Sequence, residues 1–302
     1  MSLTLAYMTN RKEPHINWFL DSLHNQLRPD DNIRVLVIDF WRDMRDASFL
    51  ERSKGIVAHH VSPKPTVWQG PHRKTKNDYF CASNARNTAI CLAPDGHIAF
   101  VDDLSVLLPT WLEAVRRSVR ENYIALGSYK KVKKLVVENG NIVSFEEFPP
   151  GVDSRLSSAP QDQTSAAGSW LFGCSFCAPI EALLEVNGVD EYCDSTGLGS
   201  EDYCLGIRIG NTGRYSFRYD RKMMTYESEE DHGKEPAFLR KTKGEGRQDK
   251  SWKMLHKAQN TKRAEHPFDI RDLRRHVLAG NPFPIPTEPT VDWFDQQSVS
   301  EL

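Results

Sequence analysis

The stretch His97-Ile98-Ala99-Phe100-Val101-Asp102-Asp103 constrains the fold more than any other. A short, mostly apolar run of β-prone residues reads as an interior strand of an α/β sheet. Its two adjacent acids then fall at the strand's carboxyl edge, where open α/β sheets bind their ligands. Carboxylates side by side repel, so a cation or a set of strong hydrogen-bond donors is expected beside them. A divalent ion carrying a diphosphate suits, because Mg²⁺ and Mn²⁺ take a few hard oxygen ligands together with substrate phosphates. These seven residues alone more often make only a polar turn, so the rest of the chain has to decide.

Upstream, residues 3–8 read as a first strand, and Ile16, Phe19, Leu20, Leu23 and Leu27 fall at helical spacing after Pro14. The intervening turn, Thr9-Asn10-Arg11, has no Gly-x-Gly-x-x-Gly and no Gly-Lys-Ser/Thr. That counts against a dinucleotide-binding or P-loop enzyme. Residues 33–38 form a second strand closed by Asp39, residues 56–61 a third, and residues 82–92 a helix carrying Arg86-Asn87. The βαβ rhythm predicts an α/β fold with a doubly wound, mainly parallel sheet.

Downstream, Leu112, Val115 and Val119 mark an amphipathic helix over residues 109–120. Glu138-Asn139-Gly140-Asn141 between two apolar runs signals a hairpin. Residues 149–168 are poor in large apolar groups and read as a mobile loop, a candidate lid. A strand over 170–178 and a helix from Pro179 follow, with Trp170 read as core. A Gly-rich loop over 194–200 then leads into Glu201-Asp202 at the start of a helix, and strand-like segments lie near 215–219 and 223–226. The acidic run 227–231, read as surface, reaches His232. Residues 240–263 hold nine Lys or Arg against two acids, and the tail has four prolines from Pro282 to Pro289.

Composition narrows the class. The 302 residues carry 39 basic against 41 acidic groups and are 39% apolar, ordinary for a globular chain and without an overall basic excess. No apolar run is long enough to span a bilayer. No signal peptide is recognisable, so the expectation is a cytoplasmic protein whose six cysteines are reduced. Cys174-x-x-Cys177 lacks the second pair that structural zinc requires and reads as buried thiols on a strand.

The ordered motifs resemble family-2-type glycosyltransferases with the GT-A fold. They are Ala6-Tyr7-Met8-Thr9-Asn10-Arg11, Val37-Ile38-Asp39, Ser83-Asn84-Ala85-Arg86-Asn87 and Phe100-Val101-Asp102-Asp103, then Gly188-Val189-Asp190-Glu191 and Gly197-Leu198-Gly199-Ser200-Glu201-Asp202. The resemblance covers about residues 3–232. It implies a nucleotide-sugar half over 1–103, an acceptor half over 104–232 with a smaller sheet, and a basic, helical C-terminal extension over 233–302. It further implies a nucleotide-sugar donor, most commonly a UDP-sugar, inversion at the anomeric carbon, and Mn²⁺ or Mg²⁺. Thr9, Asn10, Arg11, Asp39, Arg86 and Asp102 would face the donor. The family's Gly-Ser-rich turn after the second acid is replaced by Phe40-Trp41-Arg42-Asp43, and Leu104 follows the Asp-Asp pair where a third acid is common. The metal role therefore falls on Asp103.

The residues fit this chemistry on their own terms. Losing a diphosphate needs its charge neutralised, for which Asp103 is the anchor and His232 a candidate second ligand. An attacking hydroxyl must lose its proton, and Asp202 is a candidate base, with Glu201 on the acceptor. An acid such as Asp202 at a helix start otherwise serves the helix dipole. The basic stretch and Lys130, Lys131, Lys133 and Lys134 leave a second reading open, a glycosyltransferase acting on modified DNA bases. The third is a non-catalytic carbohydrate- or nucleic-acid-binding protein on the same sheet. The first reading takes a glycan, glycoprotein or small-molecule hydroxyl as acceptor.

Overall fold

The computed structural model describes residues 2–53, 55–73, 80–159, 161–196, 200–233, 247–266 and 268–286. Among the described residues ten strands join one sheet: β1 (Ser2–Thr9), β2 (Asn32–Asp39), β3 (Val57–Val61), β4 (His97–Asp102), β5 (Ser105–Leu107), β6 (Ile124–Glu138), β7 (Asn141–Val152), β8 (Thr164–Ala166), β9 (Ser175–Pro179) and β10 (Phe217–Ser228). Their order is β3-β2-β1-β4-β9-β6-β10-β5, with β7 on β6 and β8 on β10. The first four lie parallel, as the βαβ rhythm requires. β9 runs antiparallel to both β4 and β6, and β6 runs parallel to β10. Thus β1, β4, β6 and β10 all point the same way. The acceptor-side strands continue the first sheet through β9.

The helices are α1 (Ile16–His24), α2 (Ala82–Leu92), α3 (Trp111–Glu121), α4 (Arg155–Ser158), α5 (Ile180–Glu185), α6 (Glu201–Thr212), α7 (Glu229–Gly233), α8 (Arg247–Asn260) and α9 (Ile270–Leu278). They cover both faces. One core layer packs α1 and α3 through Phe19, Leu20, Leu23, Trp111, Leu112 and Val115. The other packs α2, α5, α6 and α9 through Ala85, Ile90, Leu183, Leu205, Ile270 and Leu273. None of the described helices is long and apolar enough to cross a membrane.

Local signals are realised where they were read. The β6–β7 turn places Asn139 at φ 48° and Gly140 at φ 75°, the positive pair that a two-residue hairpin loop needs. The apolar segments near 215–219 and 223–226 form one strand, β10, irregular between Asp220 and Met224. Trp170 packs edge-on against Tyr219, 5.7 Å between ring centroids.

One segment differs from expectation. The stretch 149–168, read as a mobile lid, is anchored. Arg155 is buried, ion-paired to Asp153, stacked on Phe172 at 4.0 Å, and donates to the carbonyls of Gly127 and Trp170. Composition misled here because one buried arginine with a full set of partners replaces the apolar anchors a strap normally uses. The described part of the C-terminal segment packs onto the domain. Ile270 and Leu273 belong to the main core, Asn187 Nδ2 donates to the Ala264 carbonyl at 2.9 Å, and Asn211 Nδ2 holds the end of α8.

Candidate functional site

Parallel strands that share a direction open their carboxyl ends onto one edge. At that edge lies a cavity of about 460 Å³. Met8, Asn10 and Arg11 reach it from the end of β1, and Asp102 and Asp103 from β4. Tyr129 and Lys131 of β6 and Glu227 of β10 also line it. These are register neighbours, Thr225 beside Tyr129 and Glu227 beside Lys131. Glu201 and Asp202 enter at the start of α6, and Arg86 from α2. Phe172, Gly173 and Cys174, just before antiparallel β9, complete the same edge.

The two acids of the founding stretch differ in their surroundings. Asp102 is 42% exposed at its side chain and meets Arg86 Nη2 at 3.5 Å. Asp103 is 13% exposed and holds an internal brace. Thr9 Oγ1 donates to its Oδ2 at 2.8 Å and Arg11 Nε to its Oδ1 at 3.0 Å. Burial pushes the Asp103 carboxyl up, against the opposing pull of Arg11 and Thr9. Thr9 therefore touches the site through Asp103.

Arg86 is a node. Its side chain is 3% exposed, and its Nη1 donates to Glu201 Oε1. Burial works against its charge, and Glu201, Asp102 and Asp202 more than restore it, raising its pKa. Asp202 is fixed by backbone donors, Gly173 N–H on Oδ2 at 2.6 Å and Tyr203 N–H on Oδ1 at 2.7 Å.

Asp39 does not line the cavity. It is fully buried, accepting from Arg45 Nε at 2.8 Å and Trp41 N–H at 2.8 Å, with His60 Nε2 at 2.9 Å. Burial would raise its pKa, but the bonds from His60, Arg45 and Trp41 outweigh that and hold it below the usual carboxylate range. The sequence places an acid at the end of β2. It could not show that Arg45, six residues on, would close over it. The side chain of His232 lies outside the described residues.

Glu227 is what the sequence reading missed, having counted it with an acidic surface run. The signal was present: like Asp102, it ends an apolar run on a strand pointing toward this edge. Its Oε1 is buried with no hydrogen-bond partner. Burial, then Asp102 and Asp103, push its carboxyl up to about 8, with Lys131 opposing. A carboxyl whose pKa is higher folded than unfolded destabilises the fold as it ionises. This contribution is absent below the ordinary 4.5 and grows as pH rises toward about 8. Under a chelator, wild-type melting temperature should fall across that window, and Glu227→Gln should remove part of the slope. An unchanged slope in Glu227→Gln would show that Glu227 ionises freely.

The cysteine pair splits, because Cys174 sits in the turn before β9 and only Cys177 is on the strand. Cys174 lines the cavity and Cys177 enters the core. Burial first, then acidic neighbours, push the Cys174 thiol well up, and burial lifts Cys177 to about 12. Both are free thiols.

The donors fit a hard divalent cation. Asp102, Asp103, Glu201, Asp202 and Glu227 outnumber Arg11, Arg86 and Lys131 on the described wall, and Glu227 Oε1 is orphaned. Among the described residues no group of three or more His, Cys, Asp or Glu could hold a metal.

The lysine cluster offered for nucleic acid is largely neutralised in place. Lys130 pairs with Glu147 at 2.7 Å, Lys131 with Glu229 at 3.5 Å, and Lys133 with Glu146. Of the basic stretch, residues 240–246 lie outside the described residues, as do the side chains of 247–253. Further along, Lys257 pairs with Glu265 and Arg263 with Asp269.

No protein-family model and no curated protein sequence matches the chain. Solved structures do match in fold. S. aureus TarS 1–349 in complex with UDP aligns with 76% of this chain at 14% identity and a TM-score of 0.52. The same protein with UDP-GlcNAc gives 14% and 0.51. The mannosyltransferase PcManGT from Pyrobaculum calidifontis, in complex with GDP-Man and Mn²⁺, aligns with 88% at 16% identity and 0.53. The chain spans 60% of the UDP-bound TarS piece and 66% of the mannosyltransferase. At such identities the likeness establishes the fold, a GT-A-like α/β architecture.

Proposed function

We propose that the chain is a metal-dependent, inverting glycosyltransferase that moves a sugar from a nucleotide-diphosphate sugar, a UDP-sugar first, to an acceptor hydroxyl. One observation carries this reading. A single cavity brings the strand-end acids Asp102 and Asp103 together with Glu201 and Asp202 at a helix start. Donor-type and acceptor-type carboxylates thus face one space. The likeness to structures holding UDP, UDP-GlcNAc and GDP-Man with Mn²⁺ supports it.

The acceptor oxygen attacks the anomeric carbon from the face opposite the diphosphate. Its proton passes to Asp202, and the electron pair of the breaking C–O bond leaves on the diphosphate. Asp202 is suited because two backbone N–H groups orient it while each oxygen keeps a second lone pair. Glu201, tied to Arg86, would orient the acceptor. Asp102, and Asp103 through the lone pairs that Thr9 and Arg11 leave, would hold a divalent cation, with His232 a candidate third ligand. That cation would supply Lewis-acid neutralisation of the leaving charge. Asn10 and Arg11 line the donor end. Asp39 would act as the brace of that end. Pairing of the lysine cluster favours a neutral hydroxyl acceptor over DNA.

The test is melting temperature against UDP, GDP and their sugars, with and without Mn²⁺. A ligand at about a hundred times its dissociation constant stabilises the native state by about 2.7 kcal/mol. The expected result is a shift with one nucleotide, dependent on Mn²⁺ and lost in Asp103→Ala and in Asp102→Ala. No shift with any nucleotide would remove the donor reading.

A further inference from the structure

Gly173 has no signature in the sequence, yet it stands between the cavity's two principal groups. Its N–H donates to Asp202 Oδ2 at 2.6 Å. A Cβ added to it would overlap Arg86 Nη2 and lie 2.7 Å from Arg86 Cζ. The guanidinium therefore occupies the volume any side chain at 173 would fill. From there it reaches Glu201 with Nη1 and Asp102 with Nη2. Glu201 neighbours Asp202 on α6, while Asp102 ends β4.

We infer that Arg86 and Gly173 form one positioning unit that sets the Glu201–Asp202 helix start against Asp102. Arg86 does this through its planar fork, one nitrogen to each carboxylate, which the point charge of a lysine cannot reproduce. Gly173 does it by leaving room for the fork and by orienting Asp202 through its own N–H. Arg86 acts through its partners and is a positioning residue. The loop that carries Gly173 is itself held, since Arg155 stacks on Phe172 and bonds the Trp170 carbonyl. The spacing between donor-side and acceptor-side carboxylates is thus set by buried chain.

The inference rests on the transferase reading, and the experiment separates the two. Wild-type release of nucleoside diphosphate from a UDP- or GDP-sugar with Mn²⁺ tests the reading; its absence with every donor removes that reading before any variant is compared. Given wild-type turnover, Arg86→Gln and Gly173→Ala should each lower kcat about a hundredfold, the cost of misplacing groups by an ångström or so. The donor dissociation constant measured by calorimetry should rise far less than kcat falls, because Asp103 and Arg11 keep their own brace. Gly173→Ala/Arg86→Gln should be no worse than either alone, because both remove one arrangement. Losses that multiply in the double variant, or that track the folded fraction, would overturn the inference. Should Arg86→Gln be insoluble, Arg86→Lys keeps the charge and is expected to lose turnover as well. A fully active Arg86→Lys protein would overturn the inference too.

Discussion

Asp202→Asn is expected to lower sugar transfer by about 10²–10⁴-fold, the usual contribution of a positioned general base. Binding of the nucleotide-sugar should persist, because the strand-end acids and Arg11 are untouched. The substitution is not perfectly silent in the structure. Asp202 accepts from both Gly173 N–H and Tyr203 N–H, and an asparagine offers one oxygen, so one of these donors loses its acceptor. Melting temperature of the variant, measured beside turnover, separates the lost base from a loosened helix start. Undiminished transfer by a folded Asp202→Asn protein would assign the base elsewhere, and Glu227 is the carboxyl across the same cavity.

Asp190→Ala should destabilise the chain by about 3–5 kcal/mol, the cost of leaving a buried charge without its partner. Arg208 and Asp190 are both fully buried at the side chain and meet at 2.7 Å. Asp190 Oδ1 also accepts from Tyr192 N–H, and Arg208 Nε donates to Thr261 Oγ1, which ties the pair to the C-terminal segment. Since whole domains are stable by about 5–15 kcal/mol, such a loss is readily seen in urea denaturation. An unchanged midpoint would mean that Arg208 finds water or another acceptor. The adjacent Glu191 is built in similarly, bonded to buried Lys64 at 2.8 Å and to Asn87 at 2.8 Å. The Gly188-Val189-Asp190-Glu191 motif is thus scaffold, tying α2, α6 and the C-terminal segment together. Asn87 belongs to the same scaffold, donating to the Val189 carbonyl and accepting from its N–H.

These placements separate what local pattern can and cannot show. The run 97–103 placed a strand and its acids at the sheet's carboxyl edge, and the motifs around it were needed to say what that edge is for. Alternation and helical spacing gave the parallel half, and Asn139-Gly140 gave the hairpin. Each of those properties is decided within a few residues. The division of labour among acids was not legible, because it depends on partners far away in the chain. Arg11 and Asp103 are 92 residues apart, and Arg86 and Glu201 are 115 apart. By local pattern alone Asp39, Asp102 and Asp103 are three equivalent strand-end carboxylates, and only the family resemblance gave them different roles. Folded, Asp39 is closed by Arg45 and His60, Asp103 is braced by Thr9 and Arg11, and Asp102 is the most open.

The sequence by itself determined a doubly wound α/β sheet and the edge at which its acids collect. Side-chain alternation and strand direction are encoded locally. Only the tertiary structure decided which carboxylates look into the cavity, that Glu227 joins them, and that Arg86 fills the room Gly173 leaves. Those outcomes follow from burial and from charge pairing between distant segments, which no local pattern specifies.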